Sequence, residues 1–175
     1  VLAEAFRILH TNLQYLIVNT ADKDTGNTIF VTSTVKGEGK TLVSFNLAAT
    51  LANTNKKVLI VGADLRNPQL QRFEKDLIRE SNTENPNLQL LPSGTIPPNP
   101  SELWRRPKTG EMFKELELMY DYVIVDTAPS LLVTDTFLIN KWADVTLYVV
   151  RAGHTEKKLL QFAVDSKRDG KFKDL

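Results

Sequence analysis

The chain has 175 residues, of which 42% are hydrophobic and 25% charged, and its net charge is +1. These values are typical of a soluble globular protein with one domain, spanning residues 1–175, and the balanced charge argues against a nucleic-acid partner. The absence of cysteine excludes disulfides, thiolate metal sites and cysteine nucleophiles. No apolar run approaches the ~20 residues that span a bilayer, so we expect a cytoplasmic domain.

The apolar residues at the start of the chain recur at helical spacing, which predicts a helix with one apolar stripe. The stripe consists of Leu2, Phe6, Leu9, Leu13 and Leu16. A buried strand is predicted over 28–33, followed by a glycine-bearing turn over 36–40 and a helix over 41–55. The continuous aliphatic run Val58–Val61 predicts the next strand.

The second half of the chain alternates predicted strands and helices. Apolar runs predict strands at Leu88–Leu91, Tyr122–Val125 and Thr146–Val150. Residues 72–87 are rich in charged and amide side chains, which indicates a loop, and Pro97–Pro100 predicts an extended segment. Helices are predicted after a cap at Ser101, around 112–119, over 137–142 and over 156–167. The alternation predicts an α/β fold, a mostly parallel central sheet flanked by helices.

The strongest chemical signal is the segment Thr34–Thr41, which reads TVKGEGKT. It matches the phosphate-binding loop (P-loop) pattern between a strand and a helix, except that Thr34 stands where glycine is usual. Glycines let backbone N–H groups point at phosphates, Lys40 adds a positive charge, and Thr41 offers its hydroxyl to Mg²⁺. The predicted nucleotide-binding residues are Gly37, Glu38, Gly39, Lys40, Thr41 and Leu42.

Two aspartates, Asp64 and Asp126, stand at or just beyond the ends of aliphatic strands. The carboxyl ends of neighbouring parallel strands meet at the edge of the sheet where ligands bind. Carboxylate and hydroxyl oxygens are ligands that Mg²⁺ accepts. The sequence therefore predicts a metal site formed by Thr41, Asp64 and Asp126, and with Lys40 a site for phosphoryl transfer.

The chain resembles the bacterial tyrosine kinases that regulate capsule and exopolysaccharide synthesis, whose cytosolic domains are P-loop proteins. The resemblance runs from residue 3 to about residue 173. It is carried by the motifs at Glu4–Arg7, Thr11–Leu13, Gly37–Thr41, Asn46–Ala48, Val58–Pro68, Leu91–Gly94, Pro97–Leu103 and Tyr120–Pro129. The Pro-Pro-Asn-Pro segment within Pro97–Leu103 is the most specific of these, because phosphate binding does not require it.

The resemblance implies an autophosphorylating protein tyrosine kinase that uses ATP and Mg²⁺, releases ADP, and works at the inner face of the cell membrane. The residues that match the family's catalytic set are Lys40, Asp64, Arg66 and Asp126. Glu4 and Arg7 match a helical motif that joins neighbouring subunits of a homo-oligomer. The implied partners are protein tyrosine substrates and a membrane polysaccharide co-polymerase, either in the same chain or separate from it.

One departure from the family pattern concerns the chemistry directly. The extra acidic motif of the family has two aspartates two residues apart, and here Gly62 stands in place of the first. That aspartate is the family's candidate base for the tyrosine hydroxyl. Since a general base contributes roughly 10²–10⁴-fold to a rate, we expect Gly62 to slow transfer without abolishing it.

Other departures concern assembly and substrate. His10 stands where the interface motif has its second arginine, and we interpret it as a half-exposed helix residue. The carboxyl terminus has no tyrosine cluster, and we expect the four tyrosines, Tyr15, Tyr120, Tyr122 and Tyr148, to lie in the core. Relative to the family, the chain is short near residues 73–87 and lacks a strand and tail after residue 174.

Several alternatives remain open at this point. One is a nucleotide-binding regulatory module with weak or no kinase activity that gates assembly with a membrane co-polymerase; Gly62 and the missing tail favour it. A partitioning-type ATPase is less favoured, because it requires a lysine where Val35 stands. A small-molecule kinase would fit the P-loop alone, but the Pro-Pro-Asn-Pro segment argues against it.

Overall fold

The computed structural model describes residues 2–20, 24–72 and 85–172. The helices are α1 (Leu2–Thr20), α2 (Lys40–Ala52), α3 (Pro100–Arg105), α4 (Pro107–Met119), α5 (Asp135–Ile139), continued by a 3-10 turn at Asn140–Trp142, and α6 (Lys157–Arg168). The strands are β1 (Asn27–Ser33), β2 (Val58–Gly62), β3 (Leu88–Leu91), β4 (Tyr122–Asp126) and β5 (Val145–Val149). Each strand lies within one residue of its predicted position.

The five strands form one sheet in the order β3-β2-β4-β1-β5, and every neighbouring pair is parallel. The predicted α/β architecture is therefore confirmed. The register sets Asp126 at the end of β4 beside Gly62 of β2 on one side and Val31 of β1 on the other. The carboxyl ends of the three central strands thus meet where the P-loop leaves β1.

The central strands read as continuous apolar runs because helices cover both faces of the sheet. Along β4, Tyr122 and Ile124 face the core that α1 and α2 close, whereas Val123 and Val125 face the core closed by α3, α4 and α5. All five residues of β4 are buried, which accounts for the absence of alternation in its sequence.

The structure corrects two details of the predicted elements. In α1 the buried face is Phe6, Leu13 and Ile17, whereas Leu2 and Leu16 are exposed. Leu16 and Ile17 are adjacent and both apolar, so helical spacing alone is compatible with either one on the buried face. Helix α3 begins at Pro100 and not after a cap at Ser101, because proline suits the first helical turn, where its missing N–H costs nothing.

Three predictions concern residues that the structure does not describe. The loop expected over 72–87 and the shortened segment expected near 73–87 fall mainly on residues 73–84, and the missing strand and tail concern the chain from 173 onward. Residues 70–72 are helical. The expectation that all four tyrosines lie in the core is wrong for Tyr15, which is 74% exposed on α1, while Tyr122 is buried.

Candidate nucleotide and metal site

The P-loop occupies residues 34–39, between β1 and α2. Gly37 and Gly39 adopt φ of 87° and 99°, a left-handed conformation that residues with a Cβ rarely tolerate. Among the described residues, none accepts a hydrogen bond from the backbone N–H groups of Gly37, Gly39 and Lys40. Free N–H groups at the start of a helix are the donors that a phosphate binds, so this loop fits the phosphates of a nucleotide.

Lys40 is the first residue of α2, and its side chain is buried, with Nζ donating to the Ser33 hydroxyl oxygen at 3.1 Å. Burial lowers the pKa of Lys40, and the negative charges of Asp126, Asp64 and Glu38 oppose that shift. The ammonium therefore lies in a field of carboxylates, which is the arrangement that keeps a buried lysine charged.

Asp126 is joined to α2 by two hydroxyl groups. The Thr41 hydroxyl donates to Asp126 Oδ2 at 2.7 Å, and the Ser44 hydroxyl donates to Oδ1 at 3.4 Å. Burial raises the pKa of Asp126 to about 6, although these hydrogen bonds and the charge of Lys40 act in the opposite direction. Asp126 is 2% exposed, so it reaches the cleft through Thr41 and acts on it as a positioning group.

Asp64 lies just beyond β2, where its backbone N–H donates to the carbonyl oxygen of Asp126 at 3.1 Å. Its Oδ1 accepts the backbone N–H groups of Arg66 at 3.2 Å and Asn67 at 3.0 Å, which closes a tight turn. Burial raises the pKa of Asp64, while these hydrogen bonds and the charge of Lys40 lower it. The structure thus brings Asp64 and Asp126 to the same edge of the sheet, as predicted from the strand ends.

The Arg66 side chain is turned away from the P-loop toward α5. Its Nε donates to Asp135 Oδ2 at 2.7 Å, and its Nη2 donates to Asp135 Oδ1 and to the Ser101 hydroxyl oxygen, both at 3.2 Å. Ser101 donates in turn to Asp135 Oδ1 at 2.6 Å. We call these three residues the Arg66 cluster. Ser101 belongs to the Pro97–Leu103 motif, so the cluster gives that motif a contact with the turn that carries Asp64.

A cleft of about 630 Å³ opens between the P-loop, the turn after β2 and the segment after β4. Gly37, Gly39, Lys40, Thr41 and Asp64 line it, and Leu42, 48% exposed, forms part of its rim. Arg66 also lines the cleft despite its bond to Asp135. The structure therefore places the predicted phosphate and metal residues around a single cleft, with Asp126 behind Thr41.

Glu38 departs from the expected nucleotide contact. Its side chain is 3% exposed and its carboxylate accepts the Val35 N–H at 2.7 Å and the Thr155 hydroxyl proton. Both oxygens of its side chain are therefore already engaged within the protein. The unusual Thr34 also has a partner, since its hydroxyl lies 2.8 Å from the Tyr148 hydroxyl.

Sequence reasoning missed the roles of Asp135, Ser101 and Thr155 at the site, because each contacts a site residue far from it along the chain.

The predicted interface residues Glu4 and Arg7 form an exposed ion pair with each other at 3.0 Å, and their role between subunits stays a prediction. His10, on the same helix, is half-buried, as interpreted from the sequence, and its burial lowers its pKa.

The donor set fits Mg²⁺ bound together with nucleotide phosphates. Within the described ranges, no group of three or more carboxylate, histidine or cysteine side chains could hold a metal by itself. Mg²⁺ is commonly held by one or two protein oxygens together with substrate phosphates and water. The Thr41 hydroxyl and the Asp64 carboxylate are the oxygens at the cleft that would take that part.

Comparison with known families agrees with this geometry. Residues 29–168 match the family model CbiA, described as the CobQ/CobB/MinD/ParA nucleotide binding domain. The tyrosine-protein kinase YwqD of Bacillus subtilis (strain 168) is 34% identical over 172 residues, covering 89% of this chain and 71% of that protein. The chain belongs to the bacterial tyrosine-protein kinase family.

The members of this family differ in length. Tyrosine-protein kinase wzc of Salmonella typhimurium is 31% identical over 168 residues, which cover 85% of this chain but 22% of that protein. Among solved structures, the BceF tyrosine kinase domain superposes with a TM-score of 0.82 at 30% identity, covering 98% of this chain and 74% of that one. None of the helices in the described part of this family member combines the length and apolar character that a bilayer crossing requires.

Proposed function

We propose that this chain is the kinase domain of a protein that transfers the γ-phosphoryl group of ATP to tyrosine, with Mg²⁺, and thereby regulates capsule or exopolysaccharide synthesis. Its substrates are tyrosines of neighbouring copies in a homo-oligomer and of partner proteins. It works at the inner face of the cell membrane with a polysaccharide co-polymerase. The observation that carries the proposal is the convergence of free P-loop N–H groups, Lys40, Thr41 and Asp64 on one cleft in a member of this family.

In the reaction, the tyrosine oxygen forms a bond to the γ-phosphorus as the bond from that phosphorus to the β–γ bridging oxygen breaks. ADP leaves with the electron pair of that bond, and the hydroxyl proton passes to solvent. Most of the rate enhancement in phosphoryl transfer comes from positioning and charge stabilisation. The P-loop N–H groups and Lys40 bind the phosphate oxygens, Thr41 and Asp64 hold the metal, and Asp126 keeps the Thr41 hydroxyl oriented. Mg²⁺, when bound, neutralises the charge that develops on those oxygens.

The second candidate is a nucleotide-gated assembly module with little kinase activity. Gly62 favours it, because the residue ends β2 next to Asp126 and offers no carboxylate to take the tyrosine proton. In that case the chain binds ATP as tightly as a kinase does, and its bound state controls contact with the co-polymerase.

Two measurements on the same samples separate the candidates. ATP affinity is measured by calorimetry, and phosphotyrosine is measured by mass spectrometry after incubation with Mg²⁺ and ATP, for the wild type and Lys40→Ala. We expect Lys40→Ala to weaken ATP binding by roughly 100-fold, since it removes charge-assisted hydrogen bonds to phosphate. Phosphotyrosine that depends on Lys40 supports the kinase, and tight binding without phosphotyrosine supports the assembly module. Equal affinity of wild type and variant would contradict the site itself.

A further inference from the structure

The loop between β5 and α6, residues 150–156, lies against the P-loop on the side of its carbonyl groups; we call it the clamp loop. Arg151 Nη1 donates to the carbonyl oxygen of Gly37 at 3.0 Å, and His154 Nε2 lies 3.0 Å from the carbonyl oxygen of Lys36. The fit is close, because a Cβ on Gly37 would lie 3.2 Å from His154 Nε2. Two successive P-loop carbonyl groups are therefore held from outside the loop.

The next P-loop residue, Glu38, is held by the same segment through its side chain. A carboxylate repels a phosphate more strongly the closer it lies, so hydrogen bonds that hold Glu38 back from the cleft limit that repulsion. One oxygen of Glu38 accepts the Val35 N–H, and the other accepts the hydroxyl proton of Thr155. The Thr155 oxygen in turn accepts the backbone N–H of Arg151 at 3.0 Å, so Thr155 links the two loops.

The orientation of these peptide groups has a direct consequence for phosphate binding. In a planar trans peptide the carbonyl group and the following N–H point in opposite directions, and the described residues contain no cis peptide. With the carbonyl groups of Lys36 and Gly37 directed at the clamp loop, the N–H groups of Gly37 and Glu38 point away from it. Of these two groups, the Gly37 N–H has no acceptor among the described residues.

We propose that Thr155, together with Arg151 and His154, is a positioning residue that presets the P-loop for the phosphates of the nucleotide. The inference rests on the proposed nucleotide binding and adds the residues that prepare the site for it. Its prediction is specific: losing the Thr155 hydroxyl frees the Glu38 carboxylate to approach the phosphates and weakens phosphate binding, whatever base the ligand carries.

The test compares Thr155→Val with Thr155→Ser, since valine keeps the shape and removes the hydroxyl, whereas serine keeps the hydroxyl. Calorimetry measures the affinity of each variant for ATP and for inorganic tripolyphosphate, with Mg²⁺. We expect Thr155→Val to lower the affinity for both ligands by about fivefold, the effect of losing one buried hydrogen bond. The affinity of Thr155→Ser should stay within about twofold of the wild type, since serine keeps that hydrogen bond.

Three results would overturn this role for Thr155: wild-type affinity in Thr155→Val, an equal loss in Thr155→Ser, or a loss confined to ATP, which would mean that the loop acts on the base or ribose. If Thr155→Val does not fold, Thr155→Ala replaces it in the comparison with Thr155→Ser, because alanine also removes the hydroxyl while Glu38 keeps its charge. We then expect affinity for both ligands to fall in Thr155→Ala and to persist in Thr155→Ser; equal affinities in the two would count against the inference. A wild type that binds neither ATP nor tripolyphosphate would instead contradict the proposed function.

Discussion

The two walls of the cleft are built in different ways. In the first wall, Lys40, Thr41 and Asp126 interact directly, through one short hydrogen bond and the field of neighbouring charges. In the second wall, Asp64 is held by the N–H groups of its own turn, and the turn is held from a distance by the Arg66 cluster. The first wall is therefore held by contacts among its own residues, whereas the second also depends on Ser101 and Asp135, which do not line the cleft.

Because of this difference, variants of the first wall should change the affinity for phosphate, and variants of the second should change the position of Asp64. We expect changes in the first wall to alter the charge that a phosphate meets, and changes in the Arg66 cluster to displace Asp64 without displacing the P-loop. The four predictions below test that separation, beginning with the largest expected effect.

The second wall lacks a side chain at Gly62. Gly62→Asp is expected to raise the rate of phosphotransfer by at least about 100-fold, because it restores a group that can accept the tyrosine proton. Its Cβ would lie 3.1 Å from the Ser93 backbone nitrogen and 3.5 Å from the Leu70 side chain, so the Ser93 backbone must shift by a few tenths of an ångström to admit it. Gly62→Asn is the matched control, and equal rates for the two variants would exclude a missing base as the limiting factor.

In the first wall, burial raises the pKa of the Asp126 carboxyl from 3.8 to about 6. Between those values the folded chain holds a proton that the unfolded chain has released, so the free energy of unfolding falls as pH rises and levels off above about pH 6. This component amounts to about 3 kcal/mol. Urea unfolding of the nucleotide-free chain, with a chelator present, measures it from pH 4 to 7.5.

Asp126→Asn should lack this component, while its side-chain oxygen still accepts from Thr41. The difference between wild type and variant isolates Asp126 from the other carboxylates that titrate in the same range, Asp64 included. Parallel pH profiles for the two proteins would contradict the assignment of the shift to Asp126.

The Arg66 cluster is the distant support of the second wall. Asp135→Ala is expected to lower the free energy of unfolding by about 2 kcal/mol, a modest value for a bidentate pair because Arg66 is 42% exposed. The variant should also require more Mg²⁺ for half-maximal ATP binding, with little change in affinity for tripolyphosphate without metal. A loss of metal-free affinity as large as the loss with Mg²⁺ would mean that the two walls are not separable.

The smallest effect is expected at Asp64 itself. Asp64→Asn keeps an oxygen that accepts the N–H groups of Arg66 and Asn67, so the turn persists and only the charge is lost. We expect about tenfold more Mg²⁺ to be needed for half-maximal ATP binding, equivalent to about 1.4 kcal/mol. Thermal unfolding of the nucleotide-free variant checks that the turn survives, and an unchanged Mg²⁺ titration would rule out a metal role for Asp64.

The first wall could be predicted from sequence because most of it lies on a continuous segment with a recognised pattern. The strand before Thr34, the two glycines and Lys40 identify the loop, and Asp126 at the end of a later buried strand identifies its partner. The sheet was equally accessible, since runs such as Val58–Val61 have one physical explanation in a parallel sheet covered on both faces.

In the second wall, Asp64 was predicted from its strand end, but the contacts that support its turn could not be. Arg66 bonds Asp135, which is 69 residues further along the chain, and no local pattern marks that pairing. Ser101 looked like a helix cap because its position before an apolar stretch is compatible with that role, but the proline before it begins the helix and releases the hydroxyl for Asp135. Interactions of this kind depend on how α3 and α5 pack, which composition and spacing do not specify.

The fluorescence of the two tryptophans reports on only one side of the sheet. Trp104 and Trp142 both belong to the core closed by α3, α4 and α5, and Trp142 stacks on Phe113 with ring centroids 5.4 Å apart. The core under α1 and α2 contains a tyrosine, Tyr122, but no tryptophan among its described members. Native indole emission will therefore follow the half of the molecule that carries the Arg66 cluster, and unfolding of the α1 and α2 side alone will leave it largely unchanged.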